Sequence, residues 1–256
     1  MFKLIKNILF NLPFVLWLMA DLRFLRPFRR KIRAYRLSGE AEKEQKEILL
    51  AENVWGGRIC RKLRLDLTVE GESRLPDGPV VFVSNHESYA DIPLFFAAVT
   101  SKQFGFVAKE NLTKLPLYGK WIRDVRSIFI RRGDARSSLR TLEEGVEMLQ
   151  KGFSFAVFPE GTRGKGGPVQ AFKKGSLRLA TKPGVPVVPV THRGAFRVFE
   201  ETGVVRKGAR VRFFIHEPIE TAGMSRQDAA ALPDAVQHII CAKLNEWEGA
   251  SLHEKF

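Results

Sequence analysis

The sequence is poor in the residues that cross-link or metallate a protein. Its two cysteines, Cys60 and Cys241, are too few for a disulfide framework and lack metal-ligand spacing, which fits a reducing compartment. Its five histidines are scattered, with no His-Glu-x-x-His pair, so no metal site is expected. No repeat or low-complexity tract is present, and no uninterrupted apolar run reaches the roughly 20 residues of a spanning helix. Acid is scarce as well: 28 Asp and Glu stand against 42 Lys and Arg, a net charge of +14. That excess excludes a neutral surface and implies anionic partners: nucleic acid, an anionic membrane surface or phosphorylated substrates.

The distribution of charge chooses among these. Residues 1–36 carry nine basic residues and one acid, Asp21, around the most apolar stretch of the chain. This favours a membrane surface over nucleic acid. The apolar stretch, Ile8 to Ala20, is 13 residues long and interrupted by Asn11 and Pro13, a length typical of interfacial or re-entrant segments. It makes a poor signal peptide, because Leu18 stands where a small residue should precede Ala20. Both flanks are basic, and positive charge stays on the cytoplasmic side, so a monotopic or short re-entrant anchor satisfies both flanks where a single span satisfies one. Phe24, Leu25 and Phe28, interleaved with arginines, continue it as an interfacial amphipathic stretch.

The 256 residues suit one large α/β domain with an appendage, residues 1–63 forming membrane-associating helices and residues 64–256 the α/β domain. Ser38 to Leu63 reads as a helix, and residues 65–69 alternate like an edge strand. Apolar runs at 80–83, 104–108, 127–130, 153–158, 185–190 and 211–215 read as strands. Between them lie helical segments up to Asp124, at 137–150 and at 172–180, and a last amphipathic helix opens at Ser225 with Asp228 three residues on. Strands alternating with helices predict a mostly parallel sheet flanked by helices.

Chemistry concentrates where the strands end. Val80-Val81-Phe82-Val83 runs into Ser84-Asn85-His86-Glu87-Ser88-Tyr89-Ala90-Asp91. On one helix, positions five apart diverge by about 140°. For His86 and Asp91 to touch, the chain must therefore turn from strand end into a helix that Asp91 opens. The carboxylate would then fix the imidazole tautomer and leave the other nitrogen as a base. The plainer reading is a strand-end histidine and a helix-capping aspartate. Three further strand ends carry polar groups: Lys109, Arg131-Arg132 and Glu160-Gly161-Thr162-Arg163. A single arginine at such a place is usually a solvated charge; several converging on a His/Asp pair suit an anionic substrate gripped by guanidinium forks. Gly161 would let the backbone approach a ligand, with its N–H facing an oxyanion. The glycines at 161–167 lack the Gly-Lys-Ser/Thr of a phosphate loop and the third glycine of a dinucleotide fingerprint. No Gly-x-Ser-x-Gly elbow supports Ser88 as a nucleophile.

These residues carry a family resemblance. Asn85-His86-Glu87-Ser88-Tyr89-Ala90-Asp91 resembles the Asn-His-x4-Asp block of the glycerolipid acyltransferase family. Phe129-Ile130-Arg131-Arg132 is similar to its second block, with Arg126 where that block usually opens with glycine. Phe158-Pro159-Glu160-Gly161-Thr162-Arg163 matches the third block in full, and Val185-Pro186-Val187-Val188-Pro189-Val190 resembles the fourth. The resemblance runs from about residue 65 to 216 and is greatest to bacterial 1-acylglycerol-3-phosphate acyltransferases.

The resemblance implies acyl transfer from a thioester, coenzyme A or acyl-carrier protein, to the free hydroxyl of a lysophospholipid, with no metal or other cofactor. His86 would be the base, with Asp91 orienting it. Asn85, Ser88, Lys109, Arg132, Glu160, Gly161, Thr162, Arg163 and Lys173 would bind substrate, the cations holding phosphate. Other acceptors, such as a lyso-ornithine lipid, are the nearest alternative, and a non-catalytic basic membrane-binding protein is a remoter one. Nucleic acid is not an expected partner. The expected location is the cytoplasmic face of a bacterial inner membrane.

Overall fold

The computed structural model describes residues 2–131 and 133–253. Three helices come first: α1 (Phe2–Phe24), α2 (Arg26–Ser38) and α3 (Ala41–Leu63). Gly39, at φ 74°, closes α2 in the left-handed conformation that glycine adopts without steric cost. The α/β portion then runs β1 (Asp66–Glu70), β2 (Val81–Ser84), α4 (Asp91–Ala98), β3 (Phe104–Lys109), α5 (Tyr118–Asp124), β4 (Ile128–Ile130), α6 (Ala135–Gln150) and β5 (Ser154–Val157). It finishes with α7 (Arg178–Thr181), β6 (Val187–Arg193), β7 (Arg210–Ile215) and α8 (Arg226–His253).

The strands form one sheet of order β1-β7-β6-β2-β5-β3-β4. Every pairing is parallel except β6 with β7. The predicted mostly parallel sheet is thus present, and the strand read at 65–69 is an edge strand, as its alternating pattern requires. The apolar runs are continuous because both faces of the sheet are covered. Phe82, Phe104 and Phe213 face a core shared with α2, α3 and α4. Val81, Val83 and Phe155 face the opposite core, with Leu149 of α6 and Val236 and Ile240 of α8. Residues 1–63, expected as a membrane-associating unit, therefore share an apolar core with the sheet through Ile32, Ile48 and Trp55.

Two expected elements take different forms. The segment 172–180 is not one helix: Gly175, at φ 81°, breaks it, and only Arg178–Thr181 is helical. The apolar N-terminus is not interrupted at Asn11 and Pro13, since α1 runs unbroken through both. The Asn11 carboxamide donates to the carbonyl of Gly203 at 2.9 Å and accepts from the N–H of Val205 at 2.8 Å, so its polarity is absorbed against the domain. With that interruption removed, Asn7–Phe24 is long and apolar enough to cross a membrane. Its outer face, including Ile8, Leu9, Phe10 and Leu16, is exposed.

Close packing of α3 on α4 steadies the element that carries Asp91. A Cβ added at Gly56 of α3 would lie 2.6 Å from the backbone N of Ala97 and 2.8 Å from the carbonyl oxygen of Pro93. Only glycine permits that approach.

Candidate active site

β2 ends at Ser84, and the chain loops through His86 before α4 begins at Asp91. This turn sets His86 Nδ1 2.6 Å from Asp91 Oδ2. The intervening loop folds onto the same oxygen, which also accepts the backbone N–H groups of Glu87 at 2.8 Å and Ser88 at 3.0 Å. The acceptor assigns the ring proton to Nδ1 and leaves Nε2, on the far side of the ring, free of it. The Asp91 side chain is wholly buried and that of His86 is 20% exposed, so the orienting group is shielded while the base reaches solvent. Phe158 stacks on the His86 ring at 4.3 Å between centroids, which limits the ring's rotation.

A second loop, following β5, grips the backbone of His86. Glu160 Oε1 accepts the His86 N–H at 2.7 Å, and Gly164 donates its N–H to the His86 carbonyl at 2.7 Å. Glu160 Oε2 accepts the N–H of Gln170 at 2.9 Å. Burial raises the Glu160 carboxyl above its ordinary value despite these two donors. Gly161 takes φ 69°, and the Lys173 side chain folds over it. Its N–H does not face an oxyanion: it donates to the Phe158 carbonyl at 3.0 Å, closing the turn.

Arg163 lies beside this pair. Its Nη1 is 2.6 Å from Glu200 Oε1, and its guanidinium carbon sits 3.4 Å from the centroid of the Tyr89 ring. The Ser88 hydroxyl donates to Glu200 Oε2 at 2.5 Å, and the Tyr89 N–H donates to Oε1 at 3.0 Å. Glu200 therefore ties Arg163 to the loop that carries His86.

The structure brings His86, Asp91, Glu160, Gly161, Arg163 and Lys173 together and turns two expected substrate ligands inward. Asn85 is buried, its carboxamide donating to the His192 carbonyl at 2.8 Å and accepting the His192 N–H at 3.1 Å. It clamps β6 to β2. Ser88 is equally buried and committed to Glu200. Thr162 and Lys109 are exposed, Lys109 at the end of β3, two strands from β2. Arg132 lies outside the described residues; its neighbour Arg131 pairs with Glu110 at 2.7 Å. Arg126, standing where the resembling block opens with glycine, adopts φ 62°, a left-handed conformation. Its side chain points away from His86 to grip Glu44 of α3 with two bonds of 2.7 Å.

Three participants escaped sequence reasoning. Glu200 sits in an irregular segment with no periodic signal. Glu87 is buried, accepting the N–H of Gly194 at 2.9 Å and lying 3.3 Å from Arg193 Nη1. His192, at the end of β6, lies with Nε2 3.1 Å from Asp91 Oδ1. The rule that located Glu160 would have found His192 too, because β6 runs parallel to β2 and ends beside it. Burial alone would raise the Asp91 carboxyl, but His192 and His86 outweigh it and hold that group well below the usual carboxylate range.

A buried carboxylate beside a partly exposed imidazole, at the carboxyl ends of parallel strands with an arginine alongside, offers the groups that general-base chemistry uses. Comparison with known proteins gives the family. A family model described as Acyltransferase matches residues 66–193. The chain superposes on the crystal structure of the 1-acyl-sn-glycerophosphate acyltransferase from Thermotoga maritima with a TM-score of 0.71 and 31% identity, over 96% of this chain and 98% of that one. A chloroplastic 1-acyl-sn-glycerol-3-phosphate acyltransferase of Arabidopsis thaliana is 38% identical over 158 residues, covering 60% of this chain and 43% of the relative. A 1-acyl-sn-glycerol-3-phosphate acyltransferase of Borreliella burgdorferi is 29% identical over 193 residues, 73% of this chain and 77% of the relative. The match thus spans less than half the length of the plant relative. The chain belongs to the acyltransferase family.

Proposed function

We propose that the protein transfers a fatty acyl group from a thioester donor to the free hydroxyl of 1-acyl-sn-glycerol 3-phosphate, giving phosphatidic acid. The observation that carries this is the 2.6 Å contact between His86 and buried Asp91 within the matched acyltransferase region. His86 Nε2 takes the acceptor's hydroxyl proton as that oxygen forms a bond to the thioester carbonyl carbon. The carbon–sulfur bond then breaks, and the thiolate leaves with the proton returned by His86. Asp91 stabilises the imidazolium throughout. Arg163 and Lys173 supply the positive charge that an acceptor phosphate needs.

Entry of both lipid substrates from a bilayer fits the exposed apolar face of α1. A cavity of about 250 Å³ between α2 and α5 adds a docking place for anionic headgroups, with Arg26, Arg30 and Lys120 in its wall. On this reading the N-terminal helices hold the site against the membrane, on its cytoplasmic side.

The test is thiol release from acyl-coenzyme A by wild type and His86→Ala, with and without the lysophosphatidic acceptor in vesicles. Release should need both acceptor and His86, and the variant should lose at least about 10²-fold. Acceptor-independent release by wild type would make the protein a thioesterase. Faster turnover of lyso-ornithine lipid would keep the chemistry and overturn the acceptor.

A further inference from the structure

Asp91 serves two histidines, one with each oxygen. Oδ2 takes the His86 ring N–H and two backbone N–H groups. Oδ1 takes no hydrogen bond and faces His192, whose Nε2 lies 3.1 Å away as an ion-pair contact. His192 is fully buried and held on every side. Its backbone is clamped by Asn85, its Nδ1 lies 3.1 Å from Ser84 Oγ, and its ring stacks on Phe213 at 5.7 Å. A fully buried histidine beside the carboxylate that orients His86 brings a charge that its packing against Phe213 and Phe95 does not need.

We propose that His192 is a positioning residue for proton transfer: by pairing with Asp91 Oδ1, it holds the carboxylate so that Oδ2 faces His86. This rests on His86 being the base. Without the ion-pair contact, a buried carboxylate whose Oδ1 no hydrogen bond holds is freer to turn, and turning carries Oδ2 off the His86 ring. Burial would drive His192 toward its neutral form, yet the charges around it oppose this: Asp91 from α4, Glu87 from the loop after β2 and Glu160 from the loop after β5 all favour the protonated ring. Arg193, next in the chain, is turned to Glu87 and Glu248.

The experiment compares His192→Phe, His192→Gln, His192→Asn and His86→Ala by steady-state kinetics across pH, with circular dichroism as the check on folding. The Gln amide reaches where Nε2 lies, whereas the Asn amide reaches only the Nδ1 position, toward Ser84. His192→Phe and His192→Asn should lose about ten- to a hundredfold in kcat, the range for one bond to a charged group, with both KM values within about twofold. His192→Gln should restore kcat. Equal kcat in the Gln and Asn variants would overturn the proposal, even where His192→Phe does not fold. The His86→Ala arm stands apart: activity surviving there overturns the base itself, whatever the His192 series shows.

Discussion

Glu160 acts on His86 through the backbone: its Oε1 accepts the His86 N–H at 2.7 Å, while Gly164 of the same loop donates to the His86 carbonyl. The loop of the Glu-Gly-Thr-Arg segment therefore holds His86 in place. Glu160→Ala would leave two N–H groups, those of His86 and Gln170, without their acceptor, at about 1–3 kcal/mol for each that stays buried. We expect a lowered denaturation midpoint and a kcat reduced by about tenfold or more, with acceptor KM little changed. Glu160→Gln keeps one acceptor oxygen and should fall between the two. A rise in acceptor KM at unchanged kcat would show that Glu160 touches the acceptor instead.

The strand-end logic of a parallel sheet made half of the site readable from the chain alone. Apolar runs marked β2 and β5 and so located His86 and Glu160, and the spacing to Asp91 required the turn that is present. What stayed hidden depends on contacts between elements distant in sequence. Asn85 looked like a ligand because it opens the resembling Asn-His-x4-Asp block, yet β6 lies beside β2 and consumes its carboxamide. Glu200 reaches Arg163 from an irregular segment that carries no pattern. Nor could the apolar count of α1 show that Asn11 would be satisfied by residues nearly 200 positions away.

Arg126 separates backbone strain from side-chain pairing. Its left-handed φ of 62° costs a residue with a Cβ about 1–2 kcal/mol, and its bidentate grip on Glu44 offsets that cost. Both Arg126→Gly and Arg126→Ala lose the pair, although Arg36 still bonds Glu44 at 2.8 Å. Only glycine relieves the strain. Urea titration should find both variants less stable than wild type, with Arg126→Gly the more stable of the two by about 1 kcal/mol. Equal stabilities would mean that the backbone relaxes when the guanidinium is removed.

Glu52 gives the fold a pH dependence of its own. It is fully buried in α3, has no ion pair among the described residues and receives one long bond, from the Phe104 N–H at 3.4 Å. Burial lifts its carboxyl well above the usual value. Between the unfolded and the raised folded values, the folded chain keeps a proton that the unfolded chain has released. Stability therefore falls as pH rises through that window and levels off above it. Glu52→Gln is close in shape and cannot ionise, so its thermal midpoint should lose that fall and exceed wild type at alkaline pH. Parallel midpoint curves for the two proteins would remove Glu52 as the cause.

The proposed function gives Arg163 the acceptor phosphate, yet the guanidinium is already engaged by Glu200 and covered on one face by Tyr89. The Glu200 side chain is almost wholly buried, so removing the guanidinium strips a buried carboxylate of its partner as well as removing the proposed phosphate ligand. The two effects separate in a double variant. Arg163→Ala should raise acceptor KM by about ten- to a hundredfold, the range for one charge-assisted bond, and lower stability, while donor KM stays within about twofold. Adding Glu200→Gln should recover much of the stability, because the buried charge is gone, and none of the acceptor affinity. If the second substitution restores acceptor KM too, Arg163 acts by holding the loop of Ser88 and Tyr89, and the phosphate is bound elsewhere.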